Sequence, residues 1–157
     1  MRVMTKHTAL GWLLVFVQVL VFLGFGLLPW RSPNLVLALL GLILIVCGLV
    51  VVFATFKALG SALTATPVPR EGAALRTQGI FAVVRHPIYS GLLLALLGFV
   101  IAVGSWWTLT WWVITVLFFW GKSRWEDSLL STRHPGEWEI WALETPALIP
   151  YRKRSAH

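Results

Sequence analysis

The chain has 157 residues, 58% hydrophobic and only 12% charged, with ten tryptophans and a formal net charge of +7 at pH 7. Such a composition excludes an ordinary soluble domain and describes an integral membrane protein. With spans of roughly 20 residues each, the length accommodates one compact domain over 1–157 and no second unit.

The first apolar run, 10–28, follows Arg2, Lys6 and His7 and ends at Pro29-Trp30-Arg31-Ser32-Pro33. It is longer than a signal-peptide core and lacks a small-x-small cleavage site, so a retained transmembrane helix is predicted. A second span is predicted over 35–56, with Cys47 in its middle. Being solitary, Cys47 forms no disulfide within the chain and is expected to be a buried packing residue. A polar loop, 57–87, precedes an apolar run from Ile88 to Trp120 that is too long for one helix. Gly104-Ser105 is predicted to break that run into spans over 88–103 and 106–120, with Trp106, Trp107, Trp111 and Trp112 near the far interface. In the tail, 121–157, Arg133-His134-Pro135 is read as a turn before a short interfacial helix. There Trp138 and Trp141 share one face opposite Glu137 and Glu139, as a membrane-lying segment requires. The expected fold is all-α, about four transmembrane helices with a cytoplasmic cofactor pocket and a C-terminal interfacial helix.

Of the 13 Lys and Arg residues, only Arg31 falls on the side opposite the N-terminus, the 57–87 loop and the tail. The positive-inside rule makes those three regions cytoplasmic, in what is expected to be a prokaryotic cytoplasmic membrane. Topology thus explains the positive charge, and nucleic acid is not expected as a partner because no basic stripe with interleaved aromatics is present. The predicted spans hold no ionisable residue between their ends, and Gln18 is their most polar side chain. A proton-coupled exporter needs an intramembrane carboxylate, so chemistry is expected at the cytoplasmic face. The histidines at 7, 86, 134 and 157 lack ligand spacing, and no metal is expected.

The densest polar cluster is Arg85-His86-Pro87-Ile88-Tyr89-Ser90-Gly91, at the mouth of the third span. Pro87 suits the first helical turn, with His86 as N-cap. Upstream stand Pro67-Val68-Pro69 and Leu75-Arg76-Thr77-Gln78-Gly79-Ile80-Phe81; one hairpin downstream stand Glu126-Asp127, then Gly136-Glu137-Trp138. The hairpin forces the helix ends at Pro87 and Gly121 side by side, so two distant segments converge on one cleft. Over about 59–150 this succession resembles the isoprenylcysteine carboxyl methyltransferase family and its phospholipid methyltransferase relatives. Two tryptophans stand here where relatives usually have tyrosines, and Asp127 stands where a second Glu is usual.

The resemblance implies a membrane-embedded methyltransferase using S-adenosylmethionine without a Rossmann domain. The chain indeed has no Gly-rich strand–helix fingerprint. It also implies that the Arg85-His86-Pro87-x-Tyr89 motif and the paired acids close over the cofactor, which gives His86, Tyr89, Glu126 and Asp127, with Leu75, Arg76, Gly79 and Phe81 lining the same pocket. The ligand's chemistry suits these residues. Its carboxylate calls for helix N–H groups after Pro87, assisted by His86 or Arg85. Its ammonium calls for Glu126 or Asp127, and its adenine or sulfonium for Phe81, Tyr89 or a tryptophan. Gly79 and Gly91 would permit close backbone approach.

Taken singly, each residue has a plainer reading: Arg85 as a snorkelling anchor, His86 as a cap, Tyr89 as an interfacial aromatic, Glu126 as the i,i+4 partner of Lys122. Their joint occurrence favours the site. Methyl transfer from a sulfonium needs alignment and exclusion of water more than a strong base. Where the acceptor must lose a proton, Glu126 or Asp127 is the candidate base. An anionic acceptor would instead be steered by Lys122 or Arg124. The expected partners are the bilayer and a lipophilic methyl acceptor bearing a carboxylate, amine or thiol. The alternative is a non-catalytic scaffold or small-ligand binder of the same fold.

Overall fold

The structure, a computed structural model, describes residues 2–31, 34–60, 72 and 74–151. Pro67-Val68-Pro69, Ser32 and the basic triplet Arg152-Lys153-Arg154 lie outside the described residues. The described chain is helical: α1 (Arg2–Leu27), α2 (Leu35–Leu59), a 3-10 turn (Gly79–Ala82), α3 (Pro87–Val103), α4 (Trp106–Arg133) and α5 (Glu137–Glu144). Two of these are long and apolar enough to cross a membrane, through His7–Leu27 and Leu35–Leu59; α3 is a shorter apolar helix.

Helix boundaries follow local chemistry. Asn34 opens α2 by accepting the Val36 N–H at 2.8 Å. Gly104 ends α3 in the left-handed conformation (φ 63°), which a residue without Cβ adopts freely, and Ser105 begins α4. The expected break at Gly104-Ser105 is therefore present. The apolar run ending at Trp120 does not end its helix, however, because α4 continues unbroken to Arg133. No proline interrupts 121–133, and Lys122, Ser123 and Asp127 bury polar groups against neighbouring chain. Lys122, Arg124, Glu126 and Asp127 consequently stand in the same helix as the fourth predicted span, beyond its end. Pro135 stops α4 by excluding His134 from the helical region.

The closest packing joins α2 to α3. An ideal Cβ on Gly91 would lie 2.7 Å from the Gly48 carbonyl oxygen, and one on Gly98 would lie 2.5 Å from that of Gly41. Ala95 and Ala102 fill the same stripe, so small residues let the two backbones touch, as apolar helices lacking a hydrophobic drive to associate require. Gly91 thus serves helix packing. The buried face of α2 is Gly41, Gly48, Val52 and Thr55. Cys47 lies off that face and is exposed, which corrects the expectation of burial.

A second correction concerns α5. Trp141 is buried and donates its indole N–H to the Phe81 carbonyl at 2.9 Å, while Trp138 lies over Arg85. The tryptophans face inward because each finds a polar or cationic partner there. Ile140 and Leu143 are the exposed apolar side chains of this helix.

Candidate functional site

The site forms where the start of α3 meets the second half of α4. Pro87 occupies the first turn of α3 and is fully buried. The residue before a proline is held out of the helical region, so His86 (φ −121°, ψ 65°) stays non-helical at the N-cap position. Its side chain does not cap the helix. It reaches instead across to α4, where Glu126 and Asp127 project.

Asp127 is held from two sides. Arg85 donates Nη2–H to Oδ2 at 2.7 Å and Nε–H to Oδ1 at 3.3 Å, a two-point grip suited to the planar guanidinium. His86 Nε2 lies 2.9 Å from Oδ1. Glu126 Oε2 accepts the Tyr89 hydroxyl at 2.9 Å and stands 3.4 Å from His86 Nδ1. Among the described residues nothing bonds Glu126 Oε1, and the side chain is 22% exposed against 8% for Asp127. Asp127 is the inner, structural acid and Glu126 the outer one with a free oxygen.

Electrostatics follow from this enclosure. Burial disfavours the charged imidazole of His86, but the hydrogen bonds and charges of Asp127 and Glu126 outweigh it and carry its pKa from 6.5 to about 9. Burial likewise works against the Asp127 carboxylate, and His86 and Arg85 together hold its pKa below the ordinary value. At neutral pH the pair is therefore imidazolium and carboxylate.

The segment after α5 closes the inner side. Arg85 and His86 donate their backbone N–H groups to the Pro146 and Ala147 carbonyls at 2.9 and 3.0 Å. Ser90 donates its hydroxyl to the Leu148 carbonyl, and Arg85 Nη1 donates to the Ala142 and Thr145 carbonyls. Nothing in the residue pattern announced this strap, because its contribution is made by main-chain oxygens that carry no sequence signature.

The two convergent motifs expected from sequence are brought together, with some roles changed by the surroundings. The Tyr89 ring stacks on His86 (centroids 5.5 Å apart, 9° between planes) and packs against Phe119 at 4.9 Å. That ring is enclosed, leaving its hydroxyl to hold Glu126. Phe81 is buried, and Gly79 takes a left-handed φ of 63° to start the 3-10 turn, so glycine is required there for conformation. Leu75 is half-buried and Arg76 exposed on the segment leading into the turn. Arg124 is exposed, with its guanidinium 5.8 Å from the Trp120 ring.

Lys122 carries more than a solvated helix face would. It is buried (4% exposed), donates to Gln18 Oε1 on α1 and sits 5.1 Å from the Tyr89 ring centroid. The indole N–H of Trp138 is buried without a hydrogen-bond partner among the described residues. Among these residues no group of three or more His, Cys, Asp or Glu side chains is arranged to hold a metal.

A family profile described as "Phospholipid methyltransferase" matches residues 36–135, more than half of the chain, from early α2 past the end of α4. Among curated proteins, no match to the chain is found.

Proposed function

The chain belongs to the phospholipid methyltransferase family, and from that premise we propose that it is a four-span enzyme that transfers a methyl group from S-adenosylmethionine to a lipophilic acceptor at the cytoplasmic membrane face. The observation that carries this reading is the state of Glu126: one carboxylate oxygen is held by Tyr89 and His86 while the other has no partner among the described residues.

The donor set fits the cofactor. Glu126 Oε1 suits the ammonium as a charge-assisted acceptor, already oriented by the bonds to Oε2. Arg85 and His86 are committed to the acids, and exposed Arg76, on the segment leading into the 3-10 turn, is a cation suited to the carboxylate. The buried indole N–H of Trp138 is a further donor without an acceptor among the described residues. S-adenosylmethionine supplies a methyl group already activated by its sulfonium. What this chain's residues contribute is orientation: Arg85 and His86 lock Asp127, and through His86 and Tyr89 the position of Glu126.

Alternation of Lys and Arg about the apolar runs supports four spans, with α3 and the first half of α4 forming the short hairpin. Its cytoplasmic end would be the acid cluster, giving an acceptor access from the bilayer.

Isothermal titration of the detergent-solubilised chain with S-adenosylmethionine tests the reading. Binding that weakens roughly 10- to 100-fold in Glu126→Gln is expected from loss of a charge-assisted contact. Absence of binding by the unaltered chain would favour a scaffold that keeps the fold without the chemistry. Transfer of tritiated methyl to a total lipid extract then identifies the acceptor.

A further inference from the structure

We propose that Ile149, Pro150 and Tyr151 form a membrane anchor: they enter the bilayer interface beside the start of α3, and so hold in place the strap of carbonyls that fixes Arg85 and His86. The inference deepens the proposed function by making the bilayer a regulator of that site, and it rests on the four-span part of that reading.

Protein contacts pin the strap at its first end. Thr145 and Pro146 are buried there, and Thr145 donates its N–H to the carbonyl of Trp141, whose indole is in turn bonded to Phe81. The other end is open. Ile149 is 72% and Tyr151 59% exposed, Pro150 between them is exposed too, and among the described residues no hydrogen bond, ion pair or ring contact holds these side chains. To Arg85, His86 and Ser90 the strap offers only main-chain oxygens. Where those oxygens stand is therefore set by what holds its two ends.

Position in the fold identifies what covers the open end. Ser90, in the first turn of α3, donates its hydroxyl to the Leu148 carbonyl, and Leu148 packs against the cluster of Tyr89, Leu93 and Phe119. Leu93 and Phe119 belong to the apolar run 88–120, so the chain emerges at Ile149 beside the level where that run begins. An exposed isoleucine and tyrosine suit that level, the aliphatic chain toward hydrocarbon and the phenol with its hydroxyl among head groups. Pro150 has no N–H, which spares the entering backbone one unsatisfied donor. In sequence the segment runs directly into Arg152-Lys153-Arg154, and cations beside an apolar anchor favour the head-group layer.

Seating this end bears on the site. The Arg85 guanidinium donates both to the Thr145 carbonyl and to the Asp127 carboxylate. Withdrawal of the strap frees the Arg85 and His86 N–H groups, loosens the grip on Asp127 and, through His86, the orientation of Glu126.

The test uses the full chain in nanodiscs of phosphatidylcholine and phosphatidylglycerol. In a Cys47→Ser background, single cysteines replacing Ile149, Val113 or Glu144 carry a nitroxide, and its collisions with oxygen, which concentrates in lipid, are compared with those of a nickel chelate, which stays in water. Val113, exposed in the middle of the predicted span 106–120, reports lipid, and Glu144, exposed at the end of α5, reports water. The label at 149 is expected to match that at 113. Matching 144 overturns the anchor, as does a label that neither reagent reaches, the sign of a protein partner. A label at 113 that matches 144 overturns the four-span reading instead. Coupling is read by amide exchange: Ile149→Asp should speed exchange of the Arg85 and His86 N–H groups about 3- to 10-fold, the worth of one hydrogen bond, and weaken S-adenosylmethionine binding, while Ile149→Leu should change neither. Unchanged exchange in Ile149→Asp overturns the coupling. Should that variant not fold, Tyr151→Asp replaces it under the same criteria. If the unaltered chain does not bind S-adenosylmethionine, the methyltransferase falls and the labels and exchange decide the anchor.

Discussion

His86 and Asp127, 41 residues apart in sequence, meet with Nε2 and Oδ1 at 2.9 Å and tie the start of α3 to the second half of α4. Because Arg85 grips the same carboxylate, two cations depend on one acid. Asp127→Asn should accordingly destabilise the fold by about 3–5 kcal/mol, the cost of leaving buried charges without a partner. Thermal unfolding in detergent checks it; a midpoint matching that of the unaltered chain would reduce the cluster to an incidental contact.

The same pair sets a pH window. The His86 pKa is raised from 6.5 to about 9, so its stabilisation is fully present below 6.5, declines above it and is lost by about 9. The Asp127 pKa is lowered, so its contribution is present above the ordinary value of 3.8 and is lost as pH falls through the folded value. Thermal stability should therefore decline between pH 6.5 and 9, and His86→Gln should flatten that decline. An unchanged slope in the variant would assign the pH dependence to other groups.

Glu126 and Arg124 should separate in their effects on cofactor affinity. Glu126→Gln removes the negative charge of the carboxylate and should raise the dissociation constant for S-adenosylmethionine, while Arg124→Ala, whose guanidinium lies over Trp120, should leave it nearly intact and depress turnover with an anionic acceptor. Equal weakening by both, or by neither, refutes this division.

Gly91 offers a test of helix packing. Its Cβ position is occupied by the Gly48 carbonyl and the Val52 side chain, at 2.7 and 2.8 Å, so Gly91→Ala must push α2 from α3. A loss of about 1–3 kcal/mol is expected, as for other overpacked interiors. If stability is retained and only cofactor affinity falls, the glycine serves the ligand instead.

Topology can be read by labelling. In a Cys47→Ser background, a cysteine placed at Ser32 should react with an impermeant reagent from outside intact cells and one at Ser155 should not. The reverse pattern would invert the proposed orientation.

Much of this protein was legible in its residues because membrane chemistry writes coarse signals. Long apolar runs, Gly104-Ser105 between α3 and α4, and Pro87 at a helix start each act locally, through hydrophobic periodicity or backbone restriction. The convergence of Arg85-His86-Pro87-x-Tyr89 with Glu126-Asp127 was legible too, since a tight hairpin places the two helix ends side by side. Only tertiary structure decided how the charges divide. Which acid is enclosed, that His86 spends its ring on α4 rather than on its own helix, that Cys47 faces outward and Trp141 inward, and that Lys122 is buried against Gln18 of α1 all depend on the rotation of each helix about its axis. That rotation is set by packing of Gly41 and Gly48 on α3 and by carbonyls of the 145–148 segment, through contacts between residues far apart in the chain. A single sequence fixes neither, because small residues and main-chain oxygens look alike wherever they occur.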